Sequence, residues 1–440
     1  MSSSSYDAVI IGAGVFGSGI AFELSRRGFT TCNIDLYGAP GMGSTSSSGA
    51  IIRFNYSTVE GVQLAWEGNQ YWMDFPGYLE TTDEAGTARK VTTGSVFLRT
   101  HEDLHQLYMR TMSAAGVPWE DWSPEQVAER LPVLSLAEYG GPTTEDDDRF
   151  WADPVGAIPG ALYTPDAGHI SDPQLAAHNL HTAAKAKGAD FRFNSRVTEI
   201  LKTPDDSAVR GVSLANGDSI ESPVVVAVGG PHSSTLLELA GLTGTAGITT
   251  RPMRHEVHVA PSPPNFNYET HGMMVADLDQ GMYFRPEAGN QIFVGSTDPD
   301  CDPQEWVEPA DLDTMNRQIT EPRWNLQMMR MAKRLPEFGV PHQRKGLAEA
   351  YDVSTDWGPI YDRSDLDGFF TASGTSGNQF KNACVGSNLM ASLIEAVSNG
   401  HDHDADPLVV PARYTGVDIN MGNFSRNRTM NADSTGTVLG

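Results

Sequence analysis

The chain opens on a stretch that admits few folds: YDAVIIGAGVFGSGIAFELSRRG, an apolar run from Tyr6 to Ile11, a glycine turn, and a helical pattern reaching about Arg27. A continuous apolar run suits a strand covered on both faces of a parallel sheet, and the change to a 3.6-residue period marks the crossover helix behind it. Gly12, Gly14 and Gly17, with Val15 and Phe16 among them, stand where a dinucleotide-binding turn needs glycine. The first permits the tight turn, the second lets the backbone approach a pyrophosphate, and the third lets helix and strand close together with the helix N-terminus toward the negative charge. A second strand, Thr30 to Leu36, carries Asp35, roughly 20 residues beyond the first glycine, where a carboxylate accepts hydrogen bonds from ribose hydroxyls. Such an acid disfavours a 2′-phosphate, so FAD or NAD is favoured over NADP, and the turn alone leaves those two open.

With 440 residues the chain can hold two or three domains, or one large α/β unit with a second lobe. After this opening unit come helical patterns at Gly61 to Phe75 and Glu125 to Leu131. From Gly168 the α/β rhythm resumes with a helix from Pro173 to Lys187, strands at Asp190 to Phe193 and Val197 to Lys202, a hairpin around Asn216-Gly217, and a buried strand from Val224 to Val228. Between residues 245 and 300 the pattern turns to β in VHVAP, MMVADL, MYFRP and QIFVGS. Helices are expected at Pro309 to Glu321 and Trp324 to Leu335, followed by the strand FFTASG, a glycine-rich turn and a last helix. The expected architecture is α/β. A Rossmann-type nucleotide domain is drawn from residues 1–92, 168–245 and 345–400, with an inserted antiparallel-sheet (α+β) substrate domain from 93–167 and 246–344, and a weakly patterned tail at 401–440.

Thirty Lys and Arg against 56 Asp and Glu give a net charge of −26, which repels a polyanion and argues against nucleic acid as a partner. Cys32, Cys301 and Cys384 lie far apart in sequence, so neither a disulfide framework nor a zinc site is indicated and a reducing compartment fits. The start MSSSSYD lacks the positive region of a secretory signal, and no 18-residue apolar run offers a membrane span. A cytoplasmic protein without a membrane partner is the expectation. HDHDAD at 401–406 and the acidic segment at 140–150 read as solvated rather than as a metal site. Basic residues are scarce enough that one inside an apolar segment is informative: Arg53 follows two isoleucines, Arg285 lies in MYFRP and Lys381 in GNQFK.

STSSSGAIIR ending at Arg53, PDAGHISDPQLAAH, VVVAVGGPHS, MYFRP and TASGTSGNQFKNA follow the glycine fingerprint in order. Together they resemble the D-amino-acid oxidase superfamily of flavoproteins, and within it the sarcosine oxidase and glycine oxidase branch. The resemblance covers roughly Tyr6 to Asn399 and is specific for the superfamily, not for a substrate. It implies an FAD domain under a sheet-built substrate lobe, and oxidation of a C–H beside nitrogen by hydride transfer to flavin N5, giving an imine that hydrolyses. The protein's part in such a reaction is orientation and electrostatics. Carried over residue by residue, it implies that Arg53 and Lys381 anchor a substrate carboxylate, the alternative for both being a structural ion pair. It implies cofactor contacts from Ser44, Thr45, Ser48, Gly49, Val197 and Gly229, and from Gly374, Gly377, Asn378, Gln379 and Lys381 at the start of the last helix. Tyr283 and Arg285, two apart on one strand, share a face; toward the flavin they orient substrate, away from it they are surface residues. His255 is a further candidate as a base or a wall, against the alternative of a structural histidine.

Three departures from the branch stand out. The lysine that activates O2 falls near Phe293, and no lysine occupies that strand, which raises a dehydrogenase with an electron-carrier acceptor beside an O2-using oxidase. The position of a covalent flavin thiolate falls near Glu349, so FAD is expected to be noncovalent. A second arginine before Arg53 is replaced by Ala50. The function expected is an FAD-dependent amine or amino-acid oxidoreductase. A 2-hydroxy-acid oxidoreductase on the same scaffold is the alternative, needing His255 or a tyrosine as base, and a nucleotide-binding protein without turnover is a third class.

Overall fold

The computed structural model describes residues 3–100 and 102–439. Its nucleotide half is a six-stranded sheet centred on the opening strand Ala8–Ile11. That strand pairs in parallel with Thr31–Ile34 on one side and Val225–Ala227 on the other. Asp190–Arg192 and Phe369–Ser373 extend the two flanks in parallel, and Ile360–Arg363 closes one edge antiparallel. All four residues of the opening strand are buried, as an apolar run in a doubly covered sheet requires. The helix Val15–Arg26 lies in contact with the helices Pro173–Ala186 and Ala383–Ser398. Its approach to the latter is close: a Cβ on Gly19 would stand 2.3 Å from Ser387 Oγ.

Facing this half is a nine-stranded roof sheet. Its long strand, Thr250–Pro261, pairs on one side with Gln291–Ser296 and along its length with Gly346–Ser354. The hairpin Met282–Glu287 to Gln291–Ser296 continues into Met274–Asp277, which runs parallel to Ser95–Leu98. The sheet expected to be antiparallel is therefore mixed, because residues separated by a long excursion meet in it. Gly346–Ser354, inside the range read from sequence as nucleotide-binding, is a roof strand. The helix Glu321–Arg334 covers the outer face, with Trp324, Met328 and Met331 packing with Val275, Phe284 and Val294. Arg334, fully buried, ties it down through Asp277 at 2.6 Å and Asp279 at 3.1 Å.

One expectation fails for an identifiable reason. The helix read at Pro309 to Glu321 is only a short 3-10 turn, Pro309–Asp311. Buried Arg254 takes the carbonyls of Asn316 at 2.7 Å and Gln318 at 2.6 Å, acceptors a helix would have needed for itself. The tail, weakly patterned in sequence, is firmly attached. Arg426 pairs with Asp362 at 3.0 Å, Asp365 at 2.7 Å and Asp404 at 2.8 Å, and Arg428 with Asp356 at 2.6 Å. Asp402, Asp404, Ala405 and Asp406 of HDHDAD are exposed, as expected of a solvated string, while His403 is buried and accepts from Leu408 N at 3.0 Å and Asp404 reaches the clamp. Among the described residues no helix is long and apolar enough to cross a membrane.

Candidate active site between the two sheets

A cleft runs from the opening glycine turn to the underside of the roof. Gly12 has φ +117°, and a Cβ there would stand 2.2 Å from Val228 O; a Cβ on Gly17 would stand 2.0 Å from Gly12 O. No side chain fits at either position. Asn33 fixes the turn, its Nδ2 donating to Gly12 O at 3.3 Å and Gly17 O at 3.0 Å. The helix begins at Val15 after Gly14, which offers no side-chain cap, and Val15 N donates to Thr45 Oγ1 at 3.2 Å. Asp35 accepts from Ala13 N at 2.6 Å and Tyr37 N at 2.8 Å, and burial raises its carboxyl pKa. A glycine cradle, a helix N-terminus aimed at it and an acid at the end of the second strand fit the pyrophosphate and ribose of a dinucleotide. Ser44, Thr45, Ser48, Gly49, Val197 and Gly229 line the cleft beyond.

At the far end Arg53 and Lys381 meet on one ring. The Arg53 guanidinium lies 4.5 Å from the centroid of Tyr56, and Lys381 Nζ lies 5.1 Å from it. Arg53 donates to the Asn55 carbonyl and, at 2.6 Å, to the Val438 carbonyl. Lys381 donates to the Tyr56 hydroxyl at 2.6 Å and to the Asn378 carbonyl. Both cations are buried, both line the cleft, and among the described residues neither forms an ion pair. Burial, and then the Arg53 charge, hold the Lys381 ammonium well below the ordinary lysine range.

The roof supplies Tyr283, His255 and Tyr351 to the same cleft. The Tyr283 ring lies over Gly295, where a Cβ would stand 2.3 Å from Cζ. His255 Nδ1 is 3.2 Å from Asp298 Oδ1, while Nε2 is buried without a partner among the described residues. The buried Tyr351 hydroxyl is unpartnered as well, its ring centroid 5.4 Å from that of His255. Tyr351 went unread in the sequence although it lies two residues beyond Glu349 and so shares its face. Asp298 and Tyr56 carried no sequence signal, since their importance comes from the partners they meet.

Other sequence candidates are placed differently. Arg285 lies outside the cleft lining: its Nε donates to Gly49 O at 3.1 Å and Nη1 to Pro286 O at 2.7 Å. It therefore props the loop before Arg53 instead of sharing the cleft with Tyr283. Phe293 packs beneath it, 4.6 Å from the guanidinium. Gly374 is also outside the lining, and its N–H donates to Asp352 at 2.6 Å. Burial pushes the Asp352 carboxyl up to about 6. Gly377, Asn378 and Gln379 do line the cleft, but the last helix starts only at Ala383, after a 3-10 turn Phe380–Asn382. Glu349 lines the cleft and accepts from Arg317 Nε at 3.1 Å; no cysteine is among the lining residues. Ala50 lines it too, with left-handed φ of 45°.

The family model for FAD dependent oxidoreductases matches residues 7–393 of the chain. The chain belongs to that family. Within it, similarity runs to the sarcosine oxidase and glycine oxidase branch. The chain is 30% identical to the sarcosine oxidase subunit beta of Arthrobacter sp over 54% of each chain, so the match spans about half of that relative's length. It is 26% identical to the glycine oxidase of Geobacillus kaustophilus over 66% of this chain and 70% of that one. The solved structure of the latter superimposes with a TM-score of 0.72 at 20% identity, covering 97% of this chain and 100% of that one. The L-alpha-glycerophosphate oxidase of Mycoplasma pneumoniae, with FAD bound, shares the fold at a TM-score of 0.70 and 16% identity, over 89% of this chain and 95% of that one.

Proposed function

We propose that this FAD-dependent oxidoreductase oxidises the C–N bond of an amino acid or N-alkyl amino acid whose carboxylate is held by Arg53 and Lys381. The observation that carries the reading is a pair of buried basic side chains on the Tyr56 ring, lining the cleft with no anion of their own among the described residues. Buried charge without a partner is costly, and a planar carboxylate answers the Arg53 fork. FAD would be held without a covalent bond by the glycine turn, Asp35 and the strip Gly377–Lys381, and when bound would supply the hydride acceptor. The imine product then hydrolyses to a carbonyl compound and an amine.

The residues around the cleft prepare the substrate for that loss. Only the neutral amine has a lone pair to stabilise the electron-poor carbon, and the positive charge of Arg53 beside it lowers the ammonium pKa. His255 Nε2, which has no partner of its own while Asp298 meets Nδ1, is assigned the proton released. Tyr283 and Tyr351 offer hydroxyls on the roof side. The same His255–Asp298 pair favours a second reading, 2-hydroxy-acid oxidation, since a hydroxyl proton needs a base. Phe293 in place of a lysine favours an electron carrier over O2 as acceptor, and three free cysteines suit the reducing cytoplasm. Anaerobic bleaching of the flavin by a panel of N-methyl amino acids and 2-hydroxy acids tests the reading. Reduction by amines supports it; reduction by hydroxy acids alone overturns it in favour of the second.

A further inference from the structure

We propose that the closing segment, residues 431–439, is a built-in competitor for the substrate's anionic group, docked on Arg53 in the resting protein and displaced when substrate binds. The proposal rests on the reading of Arg53 as the anion anchor. Three observations carry it. The segment has a fixed stem: Arg426 and Arg428 are held by the carboxylates of Asp362, Asp365, Asp404 and Asp356, and Asn431 Nδ2 donates to Ser57 Oγ at 2.8 Å. Beyond the stem the hydrogen bonds of Asp433 N, Gly436 N and Leu439 N go to the segment's own side chains. Ala432, Asp433 and Gly436 are exposed, and Gly436, at φ +64°, has open space where a Cβ would be. The segment then turns inward, with Val438 and Leu439 only 9% and 4% exposed, both lining the cleft.

What it does there is mimic a ligand. The Val438 carbonyl takes Arg53 Nη2 at 2.6 Å. The Val438 side chain packs in one apolar cluster with Met253, Val353 and Trp357, bordered by Tyr283 and Tyr351. One donor nitrogen and one apolar chamber cannot serve both this segment and a substrate. A carbonyl is the weaker partner for a guanidinium, so a carboxylate entering the site gains a charge-assisted bond that the segment lacks. Leu439 and Val438 supply the opposing term through the apolar surface they bury. Apparent substrate affinity is then the intrinsic affinity reduced by the fraction of molecules with the segment released. What replaces it must bring an anionic oxygen to Arg53 and an apolar group at least as bulky as isopropyl to the chamber.

The test uses the FAD-loaded protein and benzoate, an unreactive carboxylate with an apolar body, measured by titration calorimetry. The full chain is compared with one ending at Met430 and with a full-length Val438→Gly variant, which keeps the assay informative if the shortened chain folds poorly. A segment docked nine-tenths of the time weakens apparent binding about tenfold, so benzoate is expected to bind about tenfold more tightly to the shortened chain and to gain in part in Val438→Gly. The peptide NADSTGTVLG, added in trans, should displace benzoate from the shortened chain. Hydrogen exchange at residues 437–439 should be slow in the full chain and fast once benzoate saturates it. Equal or weaker binding in both variants, or slow exchange that persists with benzoate bound, overturns the competition alone. Binding to none of the three forms overturns the anion-anchor reading with it.

Discussion

Replacing Lys381 by methionine separates a site residue from a structural one. The side chain is 1% exposed. Its polar contacts are the Tyr56 hydroxyl at 2.6 Å and the Asn378 carbonyl. Methionine removes them, yet Asn378 O keeps the bond it accepts from Tyr56 OH at 3.1 Å, so the net loss is close to one neutral hydrogen bond, about 1 kcal/mol. Against that stands relief of an amine buried without an ion-pair partner among the described residues; by analogy with buried ion pairs exchanged for apolar residues of similar volume, the replacement is neutral or stabilising by about 1–4 kcal/mol. Stability at pH 7 should therefore be unchanged or higher by up to about 3 kcal/mol. The pH dependence follows from the lowered folded pKa. The lysine's contribution is full above its unfolded value of 10.5 and is lost as pH falls toward the folded one, so the wild type gains on the variant as pH rises toward 10.5, a trend read by comparing pH 7 with pH 9, at no more than about 1.4 kcal/mol per pH unit. Binding moves the other way: losing a charge-assisted contact to a carboxylate costs about 1.5–3 kcal/mol, some tenfold to a hundredfold in Kd. Urea unfolding at both pH values and titration with benzoate measure all three. A variant destabilised by about 3 kcal/mol or more, with benzoate affinity intact, would show that Lys381 is a structural residue and refute the reasoning.

Gly295→Ala places a methyl 2.3 Å from Tyr283 Cζ, so the ring must leave its position. A stability loss of about 1–3 kcal/mol in urea should come with a higher KM, and an unchanged KM would remove Tyr283 from the site. Asp352, raised from 3.8 to about 6 by burial, contributes stability that is full below about pH 4 and lost as pH rises through about 6, a total of about 3 kcal/mol. Asp352→Asn should flatten that part of the stability profile; parallel profiles for wild type and variant would contradict it.

The nucleotide half was legible because steric contact leaves its glycines no alternative: Gly12 and Gly17 meet backbone carbonyls where a Cβ would go. Arg53 was legible because cations are scarce in this chain and it follows two isoleucines, whereas Lys381, between Gln379 and Asn382 in a polar stretch, was legible only through the family resemblance. Arg285 has the appearance of Arg53 in sequence but is turned to the Gly49 carbonyl, since strand alternation gives a face and not the neighbour waiting on it. His255 was visible as a residue, while Asp298, which meets its Nδ1, comes from a loop that only the roof hairpin brings near. Val438 was beyond reach. Its place depends on a clamp of aspartates and arginines, and charge pairs leave no hydrophobic period to read.

The order of strands in the nucleotide sheet also bears on how the protein is made. The strand Ala8–Ile11 emerges from the ribosome before the other strands of this sheet but lies in its middle, and it needs Val225–Ala227 beside it and Phe369–Ser373 beyond. At about 5–20 residues per second, tens of seconds pass before its far neighbours exist. Until then the newborn chain carries a strand with two apolar faces and an open hydrogen-bonding edge, the form most prone to wrong association. Chaperone supply during translation, more than the stability of the finished enzyme, is what should govern its yield in a foreign host.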